Sequence, residues 1–340
     1  MSIRFLSVIF AFSTIAAAQT FHPYSIFATG TAVSATGPDS ITIGNGSVWV
    51  SYTNGADSTG LFGGKSTIVQ YSLGGKVQHI YSIAGSVDGL KIDPQTGLVW
   101  ALQNQDGNSA LTLIHPLQGT TSSLQYKVTS PSHGYDDVAF EGDRIFLSYT
   151  NPASASDPTI QLLENRSSPL IVTPVLTMGA TGTDLATGQS NRPTSQSDPD
   201  SLKTIPGGGL VLSSGDDGQV IFVSRPGTPN QSVSFLTLLD PSTGMPVSGL
   251  DDAVFVMAKA GTFYLTDTGN NRVLTIKAED LKPGTLYACI GSVKEFAQVD
   301  LETGFVTVIV PNLNGPHGLV FIPSDNNDNQ GDDNSNGNKQ

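Results

Sequence analysis

"GPDSITIGNGSVWVSYTNG" occupies residues 37–55 and reads as turn, strand, turn, strand, turn. Its short apolar stretches are rich in Val, Ile, Trp and Tyr and bounded by Gly, Asn, Asp and Pro. That is the composition of brief strands joined by tight turns. Related phrases return as "SVDGLKIDPQTGLVWALQNQDG" from residue 86, "GYDDVAFEGDRIFLSYTN" from 134, "DPDSLKTIPGGGLVLSSGDDG" from 198 and "GLDDAVFVMAKAGTFYLTDTGN" from 249. A shorter sixth copy, "GPHGLVFIP", begins at 315. Each phrase carries a polar residue just ahead of its first strand: Asp39, Asp88, Asp137, Asp200, Asp252 and, in the sixth, His317.

These positions are 49, 49, 63, 52 and 65 residues apart. Four strands and their turns occupy about 40 to 50 residues, the size of one propeller blade. The longer steps carry insertions at 151–158 and 181–196. Second strands are expected at 48–52, 98–102, 145–149, 210–213 and 262–266, with 286–290 as a sixth. The chain has no convincing amphipathic helix. The fold predicted is all-β, a single-domain β-propeller of six blades over residues 19–323. Seven blades is the alternative, and a two-sheet sandwich, which needs no repeat, stands third. The sixth copy has no second strand after it. Its blade is therefore expected to take outer strands from 285–310, from the N-terminal segment 24–28, or from both, which would close the ring and protect its edges.

The chain opens with Arg4, an apolar run from Phe5 to Ile15 and three alanines before Gln19. That order describes a cleaved secretory signal over residues 1–18, and it predicts a protein that is secreted, periplasmic or held at the cell surface. No later stretch is long and apolar enough to predict membrane insertion. Residues 324–340 carry no apolar side chain and are expected to form a disordered Asn/Asp-rich tail. The one cysteine, Cys289, lies in the apolar run "TLYACIG" and reads as a core thiol. The formal net charge is −13 with only 13% charged residues. Such a surface excludes nucleic acid and anionic lipid, whose phosphates require Lys/Arg patches. It leaves cations, glycans, small molecules or another protein as partners, and the expected state is a monomer. Asn45, Asn165 and Asn230 each stand in an Asn-x-Ser acceptor pattern.

"GTFYLTDTGNNRVLTI" (261–276) resembles the repeat of NHL-type propellers, and "GPHGLVFIP" and "GPDSITIGNGSVWVSY" are similar to that repeat's opening strand. The superfamily includes NHL interaction modules, SMP-30-like lactonases, streptogramin lyases and TolB-like periplasmic proteins, so the resemblance implies a six-bladed fold that serves many functions. SMP-30-like lactonases hold an axial divalent metal with Glu, Asn and Asp. No Glu occupies any of the six repeated positions here. Streptogramin lyases pair a first-strand His with a Glu at a second-strand end. His317 matches the former, and the second strands lack the latter.

In such a fold the starts of first strands and the ends of second strands share one face. Asp39, Asp88, Asp137, Asp200, Asp252 and His317 are therefore expected around one mouth as a metal-binding set. Asn54, Asn104, Asn151, Asp216 and Asp267 would stand beside them as ligand-binding residues. Like charges so placed repel. A cation relieves the repulsion, with Ca²⁺ or Mg²⁺ favoured by oxygen ligands. Proton uptake also relieves it, as does turning each Asp into its own turn's backbone N–H groups. The function expected is an exported binding or interaction module with an acidic, Ca²⁺-compatible mouth. The alternative is a metal-dependent hydrolase or lyase in which His317 is the base.

Overall fold

The structure, a computed structural model, describes residues 19–126 and 134–324. The signal peptide expected over 1–18 and all but the first residue of the expected tail lie outside the described residues. Six sheets, antiparallel apart from one outer pairing in blade four, form the blades of a β-propeller. Blade one takes strands Pro38–Gly44, Ser47–Tyr52, Lys65–Ser72 and Val77–Ala84. Blade two runs from Val87–Ile92 to Thr120–Gln125, and blade three from Tyr135–Glu141 to Val172–Thr177. Blade four begins at Pro199–Thr204 and ends at Ser232–Thr237. The 181–196 insertion extends it, because Thr181–Asp184 joins its outer edge in parallel.

Blades five and six are built differently from the expectation. The first strand of blade five, Leu250–Val256, pairs with Thr285–Ile290 and not with the hairpin that follows it in the chain. That hairpin, Gly261–Asp267 and Arg272–Glu279, crosses into blade six. There it pairs with the last strand, Pro316–Pro323, on one side. On its other side lie the N-terminal strands Thr20–Phe21 and Ser25–Thr29. Residues 285–310 thus complete blade five, so neither the second strand placed at 262–266 in blade five nor 285–310 as an outer part of blade six holds. The N-terminal segment does supply the outer edge. Blade six therefore joins both ends of the described chain in one sheet and leaves no inner edge open.

The core consists of wedges between adjacent blades. Second strands are buried on both faces, so consecutive side chains serve different wedges. In blade one, Val48 and Val50 pack with Tyr264 and Val273 of blade six. Trp49, between them in sequence, packs with Val99 and Ala101 of blade two. Trp100 and Leu102 in turn meet Val138 and Leu147 of blade three. Cys289 is wholly buried beside Phe263 and Leu265, in the wedge between blades five and six. Burying an aromatic or aliphatic side chain fully is worth about 1.5–3 kcal/mol, and this near-continuous apolar burial holds the strands without disulfides.

One irregularity recurs in every first strand. Between Pro38 and Ile41, Val87 and Leu90, Tyr135 and Val138, Pro199 and Leu202, and Leu250 and Ala253, three steps of the first strand oppose two of the second. Pro316 to Leu319 repeats it in blade six. These are β-bulges, and a bulge suspends the strict in-out alternation of a strand.

Candidate functional site

The six bulges deliver two tiers of side chains to the axis. The upper tier is Asp39, Asp88, Asp136, Asp200, Asp251 and His317, which share one mouth. Ser40, Gly89, Asp137, Ser201, Asp252 and Gly318 form the tier below, around a cavity of about 20 Å³ that the upper-tier aspartates also line. Such a space is about that of one water or one ion. Glycine is required in the lower tier where blades approach: a Cβ on Gly89 would stand 2.1 Å from the carbonyl oxygen of Asp136.

The doublets therefore divide. Asp136 and Asp251 reach the mouth, while Asp137 and Asp252, the members expected there, lie one tier deeper and are 4% exposed. Asp137 accepts from Lys91 Nζ at 2.7 Å and from the Leu202 N–H at 3.0 Å, tying blades two, three and four. Asp252 accepts from Lys203 Nζ at 2.5 Å, from Ser201 Oγ at 2.5 Å and from the Leu319 N–H at 2.7 Å, tying blades four, five and six. Burial works against the Lys91 ammonium, but Asp137 and Asp252 outweigh it and raise its pKa. For Lys203 burial wins, helped by the charge of Lys91, and its pKa falls. Below the lysines the axis opens on the opposite face as an apolar funnel of about 480 Å³ lined by Ile43, Ile92, Phe140 and Phe321.

In the upper tier the carboxylates crowd without a lysine or arginine among them. Two unit charges about 4 Å apart repel by about 4 kcal/mol at the effective dielectric of a protein site. Burial first, and then the neighbouring carboxylates, push Asp88, Asp136 and Asp200 well above the ordinary value of 3.8. Burial also raises Asp251, although His317 opposes it. His317 Nδ1 stands 2.5 Å from Asp251 Oδ2 and 3.1 Å from Asp39 Oδ1. The Asp251 charge, against the effect of burial, lifts the imidazole well above 6.5. For Asp39, burial is outweighed by hydrogen bonds from Asp88 and His317, and its pKa is lowered. Burial and mutual repulsion thus favour the protonated forms of Asp88, Asp136 and Asp200, while the carboxylates of Asp251 and Asp39 favour the charged form of His317.

Outside this tier the mouth widens to about 420 Å³, with Gln105, Asp106, Thr150, Asn151 and Asp198 on its walls. Asn151 donates through Nδ2 to Asp106, and the Asp106 N–H bonds the Ser58 carbonyl at 3.1 Å. Burial and the charges of Asp216, Asp217 and Asp106 raise the pKa of Asp198. Asn54 and Asn104 lie elsewhere in the local architecture. Both have left-handed backbone, φ 55 and 59. Asn54 binds Lys65 O, Thr67 Oγ1 and the Thr36 N–H, and Asn104 binds Asn108 O and the Ser86 N–H. Asp216 is exposed beside Asp198. Asp267 is fully buried and paired with Arg272 Nε at 2.8 Å.

Sequence reasoning placed Asp39, Asp88, Asp200, His317 and Asn151, all of which line the mouth. It missed Asp136 and Asp251 by one residue, although both doublets are visible, and it missed Asp106, Asp198 and the two lysines. Among the described residues no group of three or more His, Cys, Asp or Glu side chains stands in metal-ligating geometry. The donor set has the hard oxygen chemistry of a Ca²⁺ or Mg²⁺ site.

No family model matches the chain, and no curated protein matches its sequence. Solved structures are similar in fold. A protein of unknown function from Bacteroides thetaiotaomicron aligns with TM-score 0.54 at 9% identity, covering 87% of this chain and 66% of that one. Another of unknown function from Bacteroides caccae gives 0.49 at 10% identity, over 84% and 87%. Virginiamycin B lyase from Staphylococcus aureus gives 0.47 at 12% identity, over 88% and 78%. Identities this low speak to architecture alone. With six sheets around one axis and both described ends in the closing blade, the chain is a six-bladed β-propeller.

Proposed function

We propose that the protein is an exported binding module whose acidic mouth takes a cation, Ca²⁺ or Mg²⁺ in the simplest case, in exchange for protons. The observation that carries this reading is the convergence of Asp39, Asp88, Asp136, Asp200 and Asp251 on one small cavity, which Lys91 reaches from the tier below and above which His317 joins them in the mouth. Repulsion there is relieved by protons, and a bound cation would relieve it at higher pH. The leader-like opening of the chain supports export, and extracellular sites of this type work at about 10⁻⁴–10⁻³ M Ca²⁺. The test is thermal unfolding with and without CaCl₂, in the wild type and in Asp136→Asn/Asp200→Asn. A Ca²⁺-dependent rise in Tm that the double variant loses supports the reading, and no rise in either protein overturns it.

A second reading, a hydrolase or lyase, has one specific observation in its favour: His317 stands in the mouth with Nδ1 held by two carboxylates. Those carboxylates raise the affinity of the ring for its proton, which favours proton donation by His317 over proton abstraction. Turnover abolished in His317→Gln would favour this reading.

A further inference from the structure

We infer a second binding site, unrelated to the mouth, in the groove between the lower edges of blades one and two, and we assign it an uncharged, hydroxyl-rich ligand such as a neutral oligosaccharide. The groove encloses about 540 Å³, within the ordinary range for ligand sites. Blade one contributes the 45–46 turn and the outer strand Val77–Ala84, and blade two contributes its turns at 96–98 and 115–118. All three turns lie on the face opposite the acidic mouth.

The chemistry of the lining selects the ligand. It includes amides at Asn45, Gln70, Gln78 and Gln118 and imidazoles at His79 and His115, with no carboxylate, ammonium or guanidinium. In a chain with 29 acidic residues, that neutrality is local. An anion or cation entering here would find no counter-charge, whereas a hydroxyl both donates and accepts and so satisfies either end of an amide. Much of this capacity is uncommitted. Gln78 accepts from Ser47 Oγ at 2.9 Å through Oε1, and its amide donors have no partner among the described residues. His115 uses only Nε2, toward Ser122 Oγ at 2.9 Å. His79 and Gln118 have no side-chain hydrogen bond among the described residues, and Asn45 uses only Nδ2, toward Gly97 O at 3.3 Å. Leu117, 97% exposed on the lip, offers an apolar surface for the C–H face of a sugar ring.

The same chemistry has two sources, a free saccharide or a glycan carried on Asn45, whose acceptor pattern lies in the groove. The experiment uses the protein from a non-glycosylating host and titrates cellopentaose, mannopentaose and chitopentaose separately by calorimetry. Saturable binding of one of them, weakened about tenfold or more in Gln78→Ala/Gln118→Ala at unchanged Tm and unaffected in Asp136→Asn/Asp200→Asn, is the expected result. Protein from a glycosylating host separates the sources: binding lost there in protein whose Asn45 carries a glycan by mass spectrometry assigns the groove to its own glycan, and retained binding assigns it to a free saccharide. No binding of any of the three to the bare protein, or binding that the groove variant leaves unchanged, overturns the inference. Because the mouth variant is tested in parallel, failure here is distinct from failure of the cation reading.

Discussion

His317 Nδ1 and Asp251 Oδ2 lie 2.5 Å apart although 66 residues separate them and they belong to different blades. The contact exists because two β-bulges, one in the first strand of blade five and one in that of blade six, turn both side chains to the axis. It neutralises one charge of a ring that otherwise holds only carboxylates.

The ring sets the pH dependence of stability. Asp88, Asp136, Asp200 and Asp251 bind protons more tightly in the folded protein than in the unfolded chain. Wherever the folded state binds more protons, stability falls as pH rises. Their contribution is present below 3.8 and is lost as pH climbs through their raised values. His317 acts with the same sign, being fully stabilising below 6.5 and lost above that. Asp39, with a lowered pKa, acts oppositely and only below 3.8. The metal-free protein should therefore melt at a higher temperature at pH 5 than at pH 8, and a scanning-fluorimetry series checks this. A Tm that rises from pH 5 to 8 would count against the protonated ring.

Adjacent aspartates should respond in opposite directions. Asp137→Asn takes from buried Lys91 the carboxylate it is hydrogen-bonded to, leaving the more distant Asp252, and should cost about 3 kcal/mol. Asp136→Asn removes a repelled carboxylate and should be neutral or stabilising at pH 8 without metal. Urea unfolding of both variants measures the difference, and equal losses would contradict the two-tier arrangement.

Closure of the ring rests on the N-terminal strand. Phe27 packs edge-on against Tyr71 of blade one and Tyr264 of blade six, with ring centres 5.6 and 5.2 Å apart. Phe27→Ala should cost about 2 kcal/mol, less than a fully buried Phe because the residue is only partly buried. Equilibrium denaturation gives the value, and a change under about 0.5 kcal/mol would show that the strand is dispensable.

Much of this architecture is legible in the sequence because a propeller repeats its local chemistry. The phrase beginning at residue 37 shows both strands and their turn, and five further copies count the blades. Two features are not legible, for physical reasons. Residues 250–267 read as a hairpin joined by 257–260, since nothing local distinguishes a tight turn from a crossing. The partners that draw Gly261–Asp267 into blade six, Pro316–Pro323 and Ser25–Thr29, are distant in the chain. The ring register slipped for a related reason. In "YDDV" and "LDDA" either aspartate can face inward once a bulge suspends alternation, and the choice depends on Lys91 and Lys203, which neighbouring blades supply. The asparagines ending second strands carried a turn signal more than a binding one: Asn54, Asn104 and Asn151 all adopt the left-handed backbone that Asn tolerates.

The exchange of protons for a cation at the mouth is tested most directly by counting protons. With the protein at pH 6 in unbuffered salt, CaCl₂ is added and the released acid is titrated back. About one or more protons should be released per bound ion, and Asp136→Asn/Asp200→Asn should release markedly fewer. Calcium binding without proton release, or release unchanged in that variant, would contradict the account.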